Sequence, residues 1–133
     1  MPSFNMSPGL NHVGAFEVSG KPFATASINA AAGATKVSFP YVTRWIYIVN
    51  RSATDCKVGF SENGVNGTNY FVVNKLDGVG AAKGHSPRLE LKVSEIWLKD
   101  GDPVDVVAGL TNIVASRTST LSGSSWSGSA GVG

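Results

Sequence analysis

Apolar and polar positions alternate along this chain in short runs broken by Gly, Pro, Asn and Asp, and no stretch carries convincing helical spacing. Residues 13–19 and 22–28 are two extended runs joined across Gly20-Lys21, the spacing of a tight hairpin. The three alanines at 30–32 meet Gly33 at once and predict a loop. Residues 35–39 alternate until Pro40 interrupts them. The strongest strand is 43–49 (Thr-Arg-Trp-Ile-Tyr-Ile-Val), β-branched and aromatic throughout and apolar on both faces. That pattern predicts a central strand, or one whose outer face is covered. Further strands are predicted at 56–60, Tyr70–Val73, 89–93 (Leu89, Leu91 and Val93 on one face), Glu95–Lys99, 104–108 and 112–115. Asp100-Gly101-Asp102-Pro103 reads as a turn, the Asn- and Gly-rich stretch 62–69 as a connection, and 76–87, with three glycines, as a mobile loop. About eight or nine strands at a repeat of ~8–12 residues predict an all-β sandwich or barrel.

A length of 133 residues fits one domain. The pattern divides it into an N-terminal arm (1–10), a β-sandwich body (11–117) and a tail (118–133) built almost entirely of Ser, Thr, Gly and Ala. Such ends bury too little to order themselves, so both are expected to be flexible. Trp126 stands out in the tail: the segment is either solvated or docks elsewhere through its indole.

Charge changes the picture. Charged residues make up 15% of the chain, against roughly 25% in an average soluble domain. The remaining surface must be Ser, Thr, Asn and Gly, or be buried against neighbouring chains. The Lys and Arg residues are scattered rather than clustered, which argues against nucleic acid as a partner. Cys56 is the single cysteine, so disulfide frameworks and multi-cysteine zinc sites are excluded. The N-terminus has neither a basic region nor an apolar stretch of the signal-peptide kind, and no run approaches the ~18–20 apolar residues of a membrane helix.

Candidate chemistry is thin. His12 and His85 read as loop or surface histidines rather than paired bases. Asp100, Asp102 and Asp105 lack the spacing and closing Glu of a calcium loop and suit a turn. The glycine-rich stretch 78–84 has no strand-to-helix context for phosphate binding. The sequons at Asn5, Asn50 and Asn66 are short enough to arise by chance. Trp45, Tyr47 and Trp97 are expected in the core rather than on a sugar-stacking platform, which leaves Phe4 and Trp126 as aromatics the core does not explain. No catalytic, cofactor or metal site is expected, and no enzyme.

Two stretches carry a resemblance. The first is Phe39-Pro40-Tyr41-Val42-Thr43-Arg44-Trp45-Ile46-Tyr47-Ile48-Val49-Asn50, running on to Val58-Gly59-Phe60-Ser61-Glu62-Asn63-Gly64. The second is Leu91-Lys92-Val93-Ser94-Glu95-Ile96-Trp97-Leu98, then Val106-Val107-Ala108-Gly109-Leu110-Thr111-Asn112-Ile113, with the ending Trp126-Ser127-Gly128-Ser129-Ala130-Gly131-Val132-Gly133. Together they resemble the single jelly-roll penton and minor capsid proteins of large icosahedral DNA viruses. The resemblance implies a jelly-roll sandwich of about eight antiparallel strands. It implies a structural virion protein, most simply a homopentamer closing five-fold vertices beside the major capsid protein and other minor capsid proteins. Assembly would take place inside the host cell, without membrane insertion. A capsid cement or decoration protein, and a β-sandwich carbohydrate- or receptor-binding module, are the alternatives. The family supplies no catalytic residues. Candidate subunit contacts follow from the tails and loops: Phe4, Met6, Leu10, Arg44, Arg117, Leu121 and Trp126.

Overall fold

A computed structural model describes residues 21–76, 84–121 and 123–133. The run 13–19, the arm 1–10 and most of the 76–87 loop lie outside the described residues. Within them the chain forms seven strands and one short α-helix in two antiparallel sheets. The strands are β1 (Lys21–Ile28), β2 (Thr35–Ser38), β3 (Tyr41–Asn50), β4 (Cys56–Gly59), β5 (Tyr70–Val73), β6 (Glu95–Lys99) and β7 (Val104–Val114); the helix, α1, is Glu62–Asn66. One sheet runs β1-β7-β3 and the other β2-β6-β4-β5. The fold is an all-β sandwich.

Alternation explains the core. Ile46 and Ile48 of β3 and Val104, Val106, Ala108 and Leu110 of β7 are buried from one sheet. Val37 of β2, Ile96 and Leu98 of β6, Cys56 and Val58 of β4 and Val73 of β5 meet them from the other. Each inward set recurs every second residue, as a pleated strand requires.

Segment 84–93 lies along the edge of β3 without forming a regular strand. Asn50 N donates to Gly84 O at 2.7 Å, Ser86 N to Ile48 O at 2.8 Å, Ile46 and Leu89 exchange two bonds of 2.8 Å, and Thr43 N donates to Val93 O at 2.9 Å. Between these, hydroxyls stand in for the ladder: Ile48 N donates to Ser86 Oγ, and Thr43 Oγ1 donates to Leu91 O at 2.6 Å while accepting from Val93 N at 3.2 Å. Pro87 has no N–H to give. The strand expected at 89–93 is therefore an irregular fourth member of the first sheet.

Two further expectations are corrected. The stretch 62–69 contains α1, which the Asn-Gly composition hides. Ser61 starts it by accepting from Gly64 N at 2.9 Å, and Val65 seals it onto β4. A methyl group at Gly59 would stand 3.1 Å from Val65 Cβ, so a side chain there would push the helix back by a few tenths of an ångström. The break expected between 108 and 112 is absent: β7 runs unbroken for 11 residues, through Gly109. The indole of Trp45 lies over that glycine, and a Cβ there would meet Nε1 at 2.3 Å and Cε2 at 2.7 Å. The glycine marks a close approach rather than a turn.

Cys56 is free and wholly buried. Removal of water from its thiolate pushes the thiol up to about 11, from an ordinary value of 9.0. The folded value lies above the unfolded one, so this burial stabilises the native state fully below pH 9 and less as pH climbs towards 11. The urea midpoint is expected to fall more steeply between those values in the wild type than in Cys56→Ala; equal slopes would refute it. Gly109→Ala is expected to cost about 1–3 kcal/mol in urea unfolding, because the indole must lift from β7.

Candidate interaction surfaces

The outer face of the β1-β7-β3 sheet is laid out by its register. Pro22, Gly109 and Trp45 form one row across the three strands; Ala24, Val107 and Tyr47 form the next; Val49 and Asp105 are paired in the third. Small residues on β1, Ala24 and Ala26, leave an open groove of about 300 Å³ lined also by Val49, Asp105 and Val107. Trp45 and Tyr47 stand beside it, half-buried and pointing away from the core, while their neighbours Ile46 and Ile48 point in. Core placement of Trp45 and Tyr47 is thus overturned: with β7 beneath them, the period-two alternation sends them out. Trp97 also faces outward, on the other sheet.

Polar groups frame this face. The Arg88 guanidinium sits 5.4 Å from the Trp45 ring centroid. His85 lies beside Tyr47, the rings 5.8 Å apart and inclined by 20°. At the far end Arg51 grips Asp105 through two bonds, Nε to Oδ2 at 2.8 Å and Nη2 to Oδ1 at 3.1 Å. Asp105 also accepts from Ser27 N at 2.9 Å, which holds Ser27 in the left-handed region at φ 57°. The hydrogen bond from Arg51 holds the Asp105 carboxyl below the usual carboxylate range. At the start of β1, the Lys21 ammonium stands 4.7 Å from the Tyr41 ring.

The second surface is the C-terminal segment, and here the expected flexible tail is corrected. Apolar area does not order it; hydroxyls do. Ser125 is wholly buried, and its Oγ accepts from Ser94 N at 3.1 Å and Glu95 N at 3.3 Å. Thr118 Oγ1 and Ser94 Oγ share a bond of 2.8 Å. Trp126 donates Nε1–H to Lys92 O at 2.6 Å and packs against the core cluster, so the aromatic that the core did not explain is the one that reaches it. Ser61 Oγ donates to Val132 O at 2.8 Å and Gly133 O at 3.0 Å. Ser125 and Trp126 both take positive φ, 51° and 67°, strain that these bonds hold in place.

The strap closes over Glu95, only 4% exposed. Its carboxylate accepts from Trp97 Nε1 at 2.6 Å and from Ser124 Oγ, with Lys36 Nζ 3.6 Å away. A polar cleft of about 250 Å³ remains between strap and α1, lined by Lys36, Glu62, Asn63, Glu95, Trp97 and Ser124.

The residues proposed as subunit contacts are dispersed. Phe4, Met6 and Leu10 lie outside the described residues, as does His12. Arg44 sits in β3 beside Trp45, Arg117 is exposed in the short 3-10 turn after β7, Leu121 is fully exposed on the strap, and Trp126 is docked. Among the described residues no nucleophile meets a base. His85 Nδ1 lies 3.0 Å from Ser86 O, Asp100 faces Lys57 at 3.5 Å, and Asp105 faces Arg51. Nor do three or more metal-binding side chains converge. Asn50 is buried and spends its amide on Thr54 O, Val73 O and Asn74 O. Comparison with known protein families, curated proteins and solved structures finds no match.

Ser125→Ala strips the partner from two buried backbone N–H groups and is expected to cost about 1–3 kcal/mol in urea unfolding. Ser119→Ala, an exposed site on the same segment, is expected to stay within about 0.5 kcal/mol of the wild type. Equal effects would show that the strap is not held at Ser125.

Proposed function

We propose that this chain is a structural virion protein, a single jelly-roll capsid subunit that associates with copies of itself as the penton at five-fold vertices. The observation that carries this reading is the strand order. With 84–93 as its fourth member, one sheet runs β1-β7-β3 and then that segment; the other runs β2-β6-β4-β5. The chain crosses from sheet to sheet at every connection except the one between β4 and β5. That winding is how a jelly roll is built from two Greek keys. Fold alone does not fix function, but the remaining surface supports the same reading. The edge strand β5 exposes Tyr70 and Val72, Leu76 follows them, and Leu121 projects from the strap. Large apolar residues along a sheet edge favour lateral association. A ring of such subunits closes when each presents one edge to the next subunit's complementary face.

The test is native mass by mass photometry across a concentration series, alone and with the major capsid protein. A five-fold mass is expected, and Val72→Lys is expected to yield folded monomers. A trimer would move the protein to a cement or decoration role. A monomer that associates with neither copies nor the capsid partner would overturn the reading.

A further inference from the structure

The Trp45 end of the β1-β7-β3 face has features that subunit association does not require. Thr43 pairs with Leu110 and Trp45 with Gly109, so Arg44 is an extra residue on β3, a bulge that sets Arg44 and Trp45 side by side. Trp45 is backed by the bare Gly109 backbone, which leaves its opposite face turned to the outside. Over that outer face stands Arg88, exposed and with only a 3.7 Å surface pair to Glu90, so the ring is uncovered when the guanidinium swings aside to meet an anion. Such a pair contributes little and yields readily to a competing carboxylate. Among the described residues Arg44 has no acidic partner within ion-pair distance. At the opposite end of the face, Asp105 is fully engaged by Arg51. The Trp45 end is therefore net positive around a flat ring, one row along the sheet from the Ala24 and Val107 that line the groove of about 300 Å³.

From this juxtaposition we infer that the Trp45 face is a binding site for an acidic saccharide. A pyranose presents an apolar C–H face to a flat indole, and its carboxylate fits the fork of a guanidinium in two parallel bonds. Trp45 supplies the platform, Arg88 and Arg44 the anion contacts, and Tyr47 and His85 extend the aromatic surface towards the groove, where Ala24, Ala26 and Val107 leave room for a second ring. A nucleic acid would need cations tracking a backbone across the surface, whereas Arg44 and Arg88 are gathered at one end of this face. The inference goes beyond the capsid reading and does not depend on it.

The experiment is isothermal titration of the full chain with 3′-sialyllactose, with lactose, which lacks only the acidic sugar, and with tetragalacturonate. At least one acidic ligand is expected to bind about tenfold or more tightly than lactose. Trp45→Ala is expected to abolish that binding, Trp45→Phe to retain part of it, and Arg88→Lys to weaken it about fivefold or more, because the charge stays but the fork is lost. Trp45→Phe keeps the test decisive should Trp45→Ala not fold. Equal affinity for lactose, no binding to any of the three, or binding that salt abolishes and both Trp45 variants leave unchanged would overturn the inference. So would a change of native mass in Trp45→Phe, since the face would then be a subunit contact.

Discussion

Strand β7 is hydrogen-bonded along both edges, to β1 on one side and β3 on the other, while its inward side chains fill the middle of the core. It is the longest strand described, and β1 and β3 have no pairing with each other except through it. The glycine within it, Gly109, lets Trp45 lie down on the sheet instead of standing off it. The shape of the outer face and the rank of side chains across it are consequences of where β7 sits and of the side chain it lacks at that position.

The sandwich was legible wherever burial follows a period of two. Tyr70–Val73 and Glu95–Lys99 were read with their observed bounds, and β2 and β3 to within a residue or two at either end. What escaped was order that comes from polar bonds. The strap carries almost no apolar periodicity, yet Ser125, Thr118 and Ser61 fix it, one hydroxyl at a time, to backbone and side-chain groups. Helix α1 hides in an Asn-Gly stretch because a single serine starts it and a single valine, Val65, buries it. The indoles illustrate the same limit from the other side. Trp45 sits inside an apolar run and points outward; Trp126 sits in a Ser-Gly tail and points inward. Composition of the surrounding segment says how much apolar surface is at hand, but the register against the next strand decides which face it meets.

The two outer faces of the sandwich are managed in opposite ways. On the β2-β6-β4-β5 side, helix and strap bury polar groups and match them: Glu95 is sunk beneath the strap with its carboxylate fully engaged. Among the described residues, no buried side-chain nitrogen or oxygen lacks a partner. On the β1-β7-β3 side no helix or strap among the described residues lies over the sheet, and the ring of Trp45 lies between the Gly109 backbone and a guanidinium from the neighbouring segment. Polar density on one face and apolar openness on the other give the molecule a closed side and an open one, an asymmetry in what each can offer a neighbour.

The order of strands also sets a timetable for the ribosome. The strand that joins β1 to β3 is made after both, and β6, which joins β2 to β4, is likewise made after its partners. Among the described elements only the β4–β5 hairpin, and later the 84–93 segment against β3, can pair before β6 and β7 emerge. The first sheet therefore cannot be completed until roughly the last fifth of the chain leaves the exit tunnel, and β1 and the β7-facing edge of β3 wait until then for the strand that joins them. Over that interval those edges are open to wrong partners, which places the aggregation hazard of this fold before β7 rather than after it.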